Sequence, residues 1–304
     1  MQRYNDLSTY IKSTFGEKIL KLSIDAGFTC PNRLNGTGCI FCGEEGAGEF
    51  AGSRRLSITE QIDSQIEFLK HKSESEKYIA YFQSFTNTFA PVEVLRKKYY
   101  EALSHPNIVG ISIATRPDCI DEETRNLLSE ISKQYETWVE LGFQTSNEET
   151  AKIINRGYEN SIFKEQALLL HKAGIKTIAH IIFGLPFETH EDFMNTVKYI
   201  NNLPIWGVKF HSLYIQRDSS LYNYYLNTRF KILEMDEYID AVCDSIELLR
   251  KDIVVHRITG DPDKNKLFEP LWPRDKIKVI GNINKELKKR DIEQGKALGG
   301  SHGL

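Results

Sequence analysis

Cys30, Cys39 and Cys42 stand in one short segment between Thr29 and Gly43, spaced Cys-x8-Cys-x2-Cys. Thiolates are soft ligands suited to zinc or to iron–sulfur clusters. A structural zinc site normally closes with four protein ligands, whereas this segment offers three thiolates and no histidine. An iron–sulfur cube held by three cysteines leaves one iron without a protein ligand, and that open position is where a substrate or cosubstrate binds. The same residues also admit a zinc site completed by Cys119, Cys243 or a distant histidine, a redox pair at Cys39 and Cys42, or cysteines that only pack.

Such a loop needs a scaffold. Six β-rich runs, 19–24, 77–83, 108–114, 137–143, 175–183 and 206–213, are bounded by turn signals and predict strands. Amphipathic stretches lie between several of them. Ile58, Ile62, Ile66 and Leu69 share a helical face behind a Ser57/Glu60 capping pair. Further helices are expected over 121–132, 161–173, around 193–200 behind Thr189 and Asp192, and over 235–250. This alternation predicts an α/β protein with a parallel sheet covered by helices, closed or partly closed into a barrel. Function in such barrels sits at the carboxyl ends of the strands, and the cysteine loop follows the first strand. Residues 1–252 are expected to form the barrel and 253–304 a short C-terminal extension.

The strand ends are polar in a patterned way. They carry Gln83, Thr86 and Asn87, then Thr115-Arg116-Pro117-Asp118, then Gln144-Thr145-Ser146, then Gly184-Leu185-Pro186-Phe187-Glu188-Thr189. Hydroxyls, amides and single charges gathered at strand ends suit a small-molecule site. Within the strands, Glu140 is flanked by Trp138, Val139 and Leu141, so it is expected to be buried and to need a partner. His180 and His211 read first as hydrogen-bonded core histidines. Arg156, before Gly157, reads on its own as a helix C-terminal cation.

The chain has 304 residues, 40% hydrophobic and 27% charged, with a net charge of -3, values ordinary for a soluble globular protein. No apolar run approaches the ~20 residues of a membrane helix, the N-terminus lacks a signal-peptide pattern, and five cysteines do not suggest a secreted disulfide framework. A cytoplasmic setting is expected. Between Arg274 and Lys296, eight Lys or Arg face four acids, which is a weak phosphate-binding signal because charged helices are usually solvated faces.

Taken together these segments resemble the radical S-adenosylmethionine (SAM) enzymes, in the branch similar to the catalytic subunit of Elongator. The matching residues are the three-cysteine loop, Thr-Arg-Pro-Asp at 115–118, Glu-Leu-Gly-Phe-Gln-Thr at 140–145, Asn-Arg-Gly at 155–157 and Gly-Leu-Pro-x-Glu-Thr at 184–189. His256-Arg257-Ile258-Thr259-Gly260-Asp261, Leu271-Trp272-Pro273 and Gln294-Gly295-Lys296 are similar to a small bacterial subfamily linked to 5-aminomethyl groups on tRNA wobble uridines.

The resemblance implies an incomplete (β/α)6 TIM-like barrel. It implies that Cys30, Cys39 and Cys42 bind three irons of a [4Fe–4S] cluster and that SAM chelates the fourth. Phe41 would pack near the adenine, Glu140 and Gln144 would face the ribose, and Arg156 would pair with the methionyl carboxylate. Gln83, Thr86 and Asn87 would stand where the family usually places a Gly-Gly-Glu-like motif for the methionyl amine, a motif absent here. A 5′-deoxyadenosyl radical would then abstract hydrogen from a 5-carboxymethylaminomethyl wobble uridine, leading toward 5-aminomethyluridine. The implied partners are tRNA and an electron donor of reductase, flavodoxin or ferredoxin type, with no membrane. The resemblance names no residue for the hydrogen transfer itself. A small-molecule substrate is the alternative within the same chemistry, and an iron–sulfur carrier or zinc-stabilised module is the alternative outside it.

Overall fold

The computed structural model describes residues 2–34, 36, 38–44, 46, 51–70 and 75–299; Asn35 and Thr37 of the cysteine segment and residues 300–304 of the C-terminal segment lie outside them. In chain order the elements are α1 (Leu7–Phe15), β1 (Leu20–Ile24), α2 (Pro31–Leu34), α3 (Ile58–Lys70), β2 (Tyr78–Phe82), α4 (Val92–Leu103), β3 (Ile108–Thr115), α5 (Glu122–Ser132) and β4 (Glu136–Gln144). There follow α6 (Glu148–Ile153), α7 (Asn160–Lys172), β5 (Lys176–Phe183), α8 (His190–Asn201), β6 (Gly207–Ser212) and β7 (Ile215–Gln216). Last come α9 (Ser220–Thr228), α10 (Met235–Leu248), β8 (Val254–Arg257), β9 (Leu267–Glu269) and α11 (Lys276–Lys289).

Seven strands form one sheet in the order β1-β2-β3-β4-β5-β6-β8, every neighbouring pair parallel. The sheet is curled into a half-barrel with helices outside it. The first six strands fall where the apolar runs place them, within a residue or so at each end. The seventh comes from beyond residue 252, the segment expected to be an extension: Val254–Arg257 pairs with β6. The short β7 and β9 pair antiparallel beside the main sheet.

Side chains alternate across each strand. One set, including Ile111, Ile113, Val139, Leu141, Phe183 and Phe210, packs outward against the helices in the main core. The other set points into the half-barrel. At its amino-terminal end Ile79, Trp138 and Ile178 form a separate apolar cluster with Ile11, Tyr10 and Leu7 of α1 and with Trp206, so α1 closes the floor. Above that floor the interior becomes polar. Among the described residues no helix is long and apolar enough to cross a membrane.

The caps follow the sequence. Ser57 and Glu60 exchange hydrogen bonds at the head of α3, and Thr189 and Asp192 do so at the head of α8. The turn before α8 also ties two strand ends together: Thr145, just past β4, donates its hydroxyl to Glu188, and Thr196 Oγ1 accepts from the Ser146 amide at 2.9 Å. Burial raises the Glu188 carboxyl to about 7 from an ordinary 4.5. Its native pKa lies above its unfolded one, so this group favours the folded state below pH ~4.5, and that contribution is lost as pH rises through 7. Substituting Glu188→Gln is therefore expected to remove a decline in unfolding free energy of about 1–3 kcal/mol between pH 4.5 and 7.5. Urea titrations of both proteins across that range check this; parallel pH profiles would contradict it.

Candidate active site

A cavity of about 440 Å³ opens at the carboxyl ends of the strands. Cys30, Cys39 and Cys42 all line it, together with Phe41, Gln83, Thr86 and Gln144. The sequence-selected loop and six of the seven candidate contacts, these four with Glu140 and Arg156, are thus brought to one hollow.

The loop is fixed by a lattice of short-range bonds rather than by a regular element. Asn32 in α2 donates through its amide to Asn155 O at 2.7 Å and approaches Cys39 Sγ at 3.5 Å. Asn155 returns a bond to Gly38 O at 2.7 Å. The Ile40 amide donates to Ile154 O, and Ile40 O accepts from the Leu221 amide. Arg33 closes the far side by donating to the carbonyls of Cys42, Gly43 and Glu44. Gly157, at φ +81°, lets Asn32 and Arg116 approach closely: a Cβ there would meet Asn32 Oδ1 at 3.1 Å and Arg116 Nη2 at 3.2 Å. The Asn-Arg-Gly motif therefore acts as the clamp of the cysteine loop.

Cys39 is lowered to about 7, chiefly by a hydrogen bond from Cys42, which is itself raised. Arg116 adds a positive field beside Cys39. Among the described residues, no three His, Cys, Asp or Glu side chains converge on one ion site. The other two cysteines lie off the cavity. Cys243 is buried between α10 and α11, its sulfur 3.9 Å from Ile283 O, and Cys119 lines a separate crevice with Thr88 and Asp118. Three cavity thiols with no fourth thiol beside them fit a [4Fe–4S] cluster with one open iron.

Of the expected contacts, Asn87 lies off the cavity, while Arg156 and Glu140 line it but are engaged within the chain. Arg156 lines the cavity wall but is 1% exposed, and all five of its N–H groups are used within the chain. They donate to Tyr158 O, Phe143 O, Thr145 O, Glu148 and Asn160. It braces the end of β4 and leaves no donor for a ligand carboxylate. Asn87 is fully buried off the cavity; its side-chain amide donates to Phe82 O and Ala114 O, joining the ends of β2 and β3. Glu140 sits two residues below Gly142, deep in the half-barrel and 0% exposed. One oxygen accepts from Lys21 at 2.6 Å and Ser112 at 2.6 Å, and the other from His180 at 2.6 Å and Lys209. With both oxygens filled it is an interior hub, and the partner its burial demanded is a pair of lysines.

Gln144 remains at the mouth. It takes a left-handed φ of 63° at an irregularity in the β4–β5 register and lies beside the Tyr158 hydroxyl at 3.4 Å. A Cβ on Gly142 would come within 2.7 Å of the Gln144 amide nitrogen, so glycine leaves room for that side chain.

The cavity is also lined by Tyr81, Tyr158 and Ser212, which the sequence does not single out, and by Arg116, Arg257 and Asp261, which stand in the quoted motifs without an assigned role. Arg116 was legible within Thr-Arg-Pro-Asp. It is held by Asp118 at 2.9 and 2.7 Å and by Arg156 O at 2.8 Å, and it lies over the Tyr158 ring. Among the described residues, two of its N–H groups have no partner. His180 and His211 do line the cavity. Burial lowers His180 to about 4 and His211 well below the usual imidazole range, so both are neutral at pH 7.

Because Glu140 compensates two buried lysines, Glu140→Gln is expected to destabilise the protein by about 3–5 kcal/mol. Adding Lys209→Met should restore part of that loss. Denaturant midpoints of the single and double variants check this, and a single-variant loss under about 1 kcal/mol would contradict the hub assignment.

The comparisons agree with this geometry. The Radical SAM superfamily profile matches residues 26–200 and the Radical_SAM C-terminal domain profile matches 205–289. The chain is 41% identical to the uncharacterized protein YtqA of Bacillus subtilis over 299 residues, covering 97% of this chain and 92% of that protein. It is 24% identical to Elongator complex protein 3 of Saccharomyces cerevisiae over 233 residues, covering 73% of this chain and 41% of that protein. Among solved structures it resembles the archaeal Methanocaldococcus infernus Elp3 with an N-terminal deletion. The TM-score is 0.70 at 17% identity, over 91% of this chain and 64% of that one. The profiles, the fold and the three-cysteine loop converge: the chain belongs to the radical SAM superfamily.

Proposed function

We propose that this radical SAM protein acts on tRNA, taking a 5-carboxymethylaminomethyl wobble uridine toward 5-aminomethyluridine. The family's cofactors are a [4Fe–4S] cluster and SAM, which together supply a 5′-deoxyadenosyl radical able to take hydrogen from an unactivated carbon. On this reading Cys30, Cys39 and Cys42 hold the cluster at the cavity rim. Phe41 offers its ring to the adenine, Gln144 its amide to the ribose, and Gln83 and Thr86 polar groups to the methionyl amine. Arg116, beside Cys39 with two N–H groups to spare, takes the methionyl carboxylate in place of the committed Arg156. The half-barrel walls keep water from the reacting groups.

The observation that carries the substrate is the placement of the 256–261 segment. Arg257 and Asp261 from it reach the cavity. The other two subfamily segments are structural. Trp272 donates to Leu233 O, and Gln294 binds Arg250 O, Ile253 O and the Asn5 amide. In the basic stretch, Lys276, Lys289, Arg290 and Lys296 are ion-paired within the chain, and Lys278, Lys285 and Lys288 are exposed. An external electron donor of flavodoxin, ferredoxin or reductase type and a cytoplasmic setting complete the proposal.

The test is an anaerobic incubation of cluster-reconstituted protein with SAM, a reductant and tRNA bearing the 5-carboxymethylaminomethyl group, read by mass spectrometry of the digested nucleosides. Conversion to 5-aminomethyluridine is expected, with the two carbons lost from nitrogen released as glyoxylate: the N–CH2 group is oxidised by two electrons to an imine that water hydrolyses, while SAM is reduced to 5′-deoxyadenosine and methionine. Unchanged nucleosides in a reaction that still forms 5′-deoxyadenosine would overturn the substrate and favour a small metabolite.

A further inference from the structure

Arg257 ends β8, at the opposite edge of the sheet from β1 and the cysteine loop that follows it. Its register partner on β6 is Lys209, whose side chain enters the half-barrel to reach Glu140, so Arg257 enters on the same side, where it lines the cavity. Among the described residues no hydrogen bond or ion pair engages its guanidinium. A half-buried arginine rarely stands alone, because burying an unpaired charge is costly.

The carboxylates that could answer it are taken. Both oxygens of Glu140 are filled by Lys21, Ser112, His180 and Lys209. Asp261, at the rim, is paired with Lys276 at 2.9 Å. Among the described residues, the basic groups Lys21, Lys209 and Arg257 thus surround one interior carboxylate, Glu140, and burial lowers Lys209 to about 7. His180 and His211 add no negative charge.

Two more groups beside Arg257 also lack partners. His211 Nε2 and Ser212 Oγ are buried without a hydrogen bond, and both residues line the cavity. His211 follows Lys209 on the interior face of β6, and the Arg257 charge is, after burial, the largest influence on its imidazole. A guanidinium fork and a buried imidazole nitrogen on the interior face of adjacent strands are groups awaiting partners. An anion with two oxygens satisfies both and offsets the cationic excess.

We infer that Arg257 and His211 form a subsite for a carboxylate on the substrate, with Arg257 as the residue that selects it. The inference rests on the tRNA reading above, in which the modified uridine carries such a group on its side chain, and it assigns that group to the wall remote from the cysteine loop. Arg257 is here a binding and positioning residue, with no part in the hydrogen transfer.

The test uses cluster-reconstituted protein with SAM bound, as wild type, Arg257→Gln and Arg257→Lys. The probes are two anticodon stem–loop RNAs, one with the free-acid 5-carboxymethylaminomethyl uridine and one with its methyl ester. Wild type is expected to bind the acid about 10–100-fold more tightly than the ester. Arg257→Gln should abolish that preference and Arg257→Lys keep part of it, with SAM affinity the same in all three, which also shows that the variants fold. An acid preference retained in Arg257→Gln would overturn the inference alone. A loss of SAM affinity in Arg257→Gln matching its loss of RNA affinity would overturn it too, by assigning the arginine to the methionyl carboxylate of SAM. Failure of wild type to bind either RNA would overturn the tRNA reading together with the inference.

Discussion

One buried carboxylate joins five of the seven strands. Glu140 on β4 accepts from Lys21 on β1, Ser112 on β3, His180 on β5 and Lys209 on β6. Strands that are neighbours only in pairs through the backbone ladder are here tied across the interior of a half-barrel. The cost of burying these charges is offset only because every lone pair of the carboxylate is used. Below this layer the interior is apolar and sealed by α1; above it lies a polar cavity. The hub therefore marks the boundary between the part of the barrel that only folds and the part that binds.

The cysteine loop depends on the same strand from the other side. Arg156 ties down the end of β4 by bonds to Phe143 O and Thr145 O, and Asn155 beside it clamps Gly38. The rim that carries the thiols is thus anchored to the C-terminal end of the strand whose middle carries Glu140. Three thiols, an uncommitted pair of Arg116 donors, the Gln144 amide and the unpartnered groups around Arg257 are presented to one hollow by elements that are rigidly held. A cofactor that generates a reactive radical needs that rigidity, because reacting atoms must be placed before the radical forms.

Much of this was legible. The six first strands follow from β-branched runs, the caps of α3 and α8 from residue spacing, and the cysteine loop from its unusual number of ligands. Polar residues at strand ends pointed to the cavity, and Phe41, Gln83, Thr86 and Gln144 are there. What residue type did not reveal is the set of partners: Arg156 and Asn87 bond mostly to backbone carbonyls at strand ends, and Glu140 takes side-chain donors from four other strands. The seventh strand was hidden because Val254–Arg257 is only four residues long and ends in His256 and Arg257. Recognising it as interior would have required seeing Arg257 as the register mate of Lys209.

On the proposed function, this cavity supports reductive cleavage of SAM by a cluster held on three cysteines. The most direct measurement is anaerobic reconstitution with iron and sulfide, addition of dithionite and SAM, and quantification of 5′-deoxyadenosine for wild type and Cys42→Ala in parallel. Product from wild type and none from the variant is the predicted result. No product from wild type, with stoichiometric tightly held zinc in its place, would contradict it.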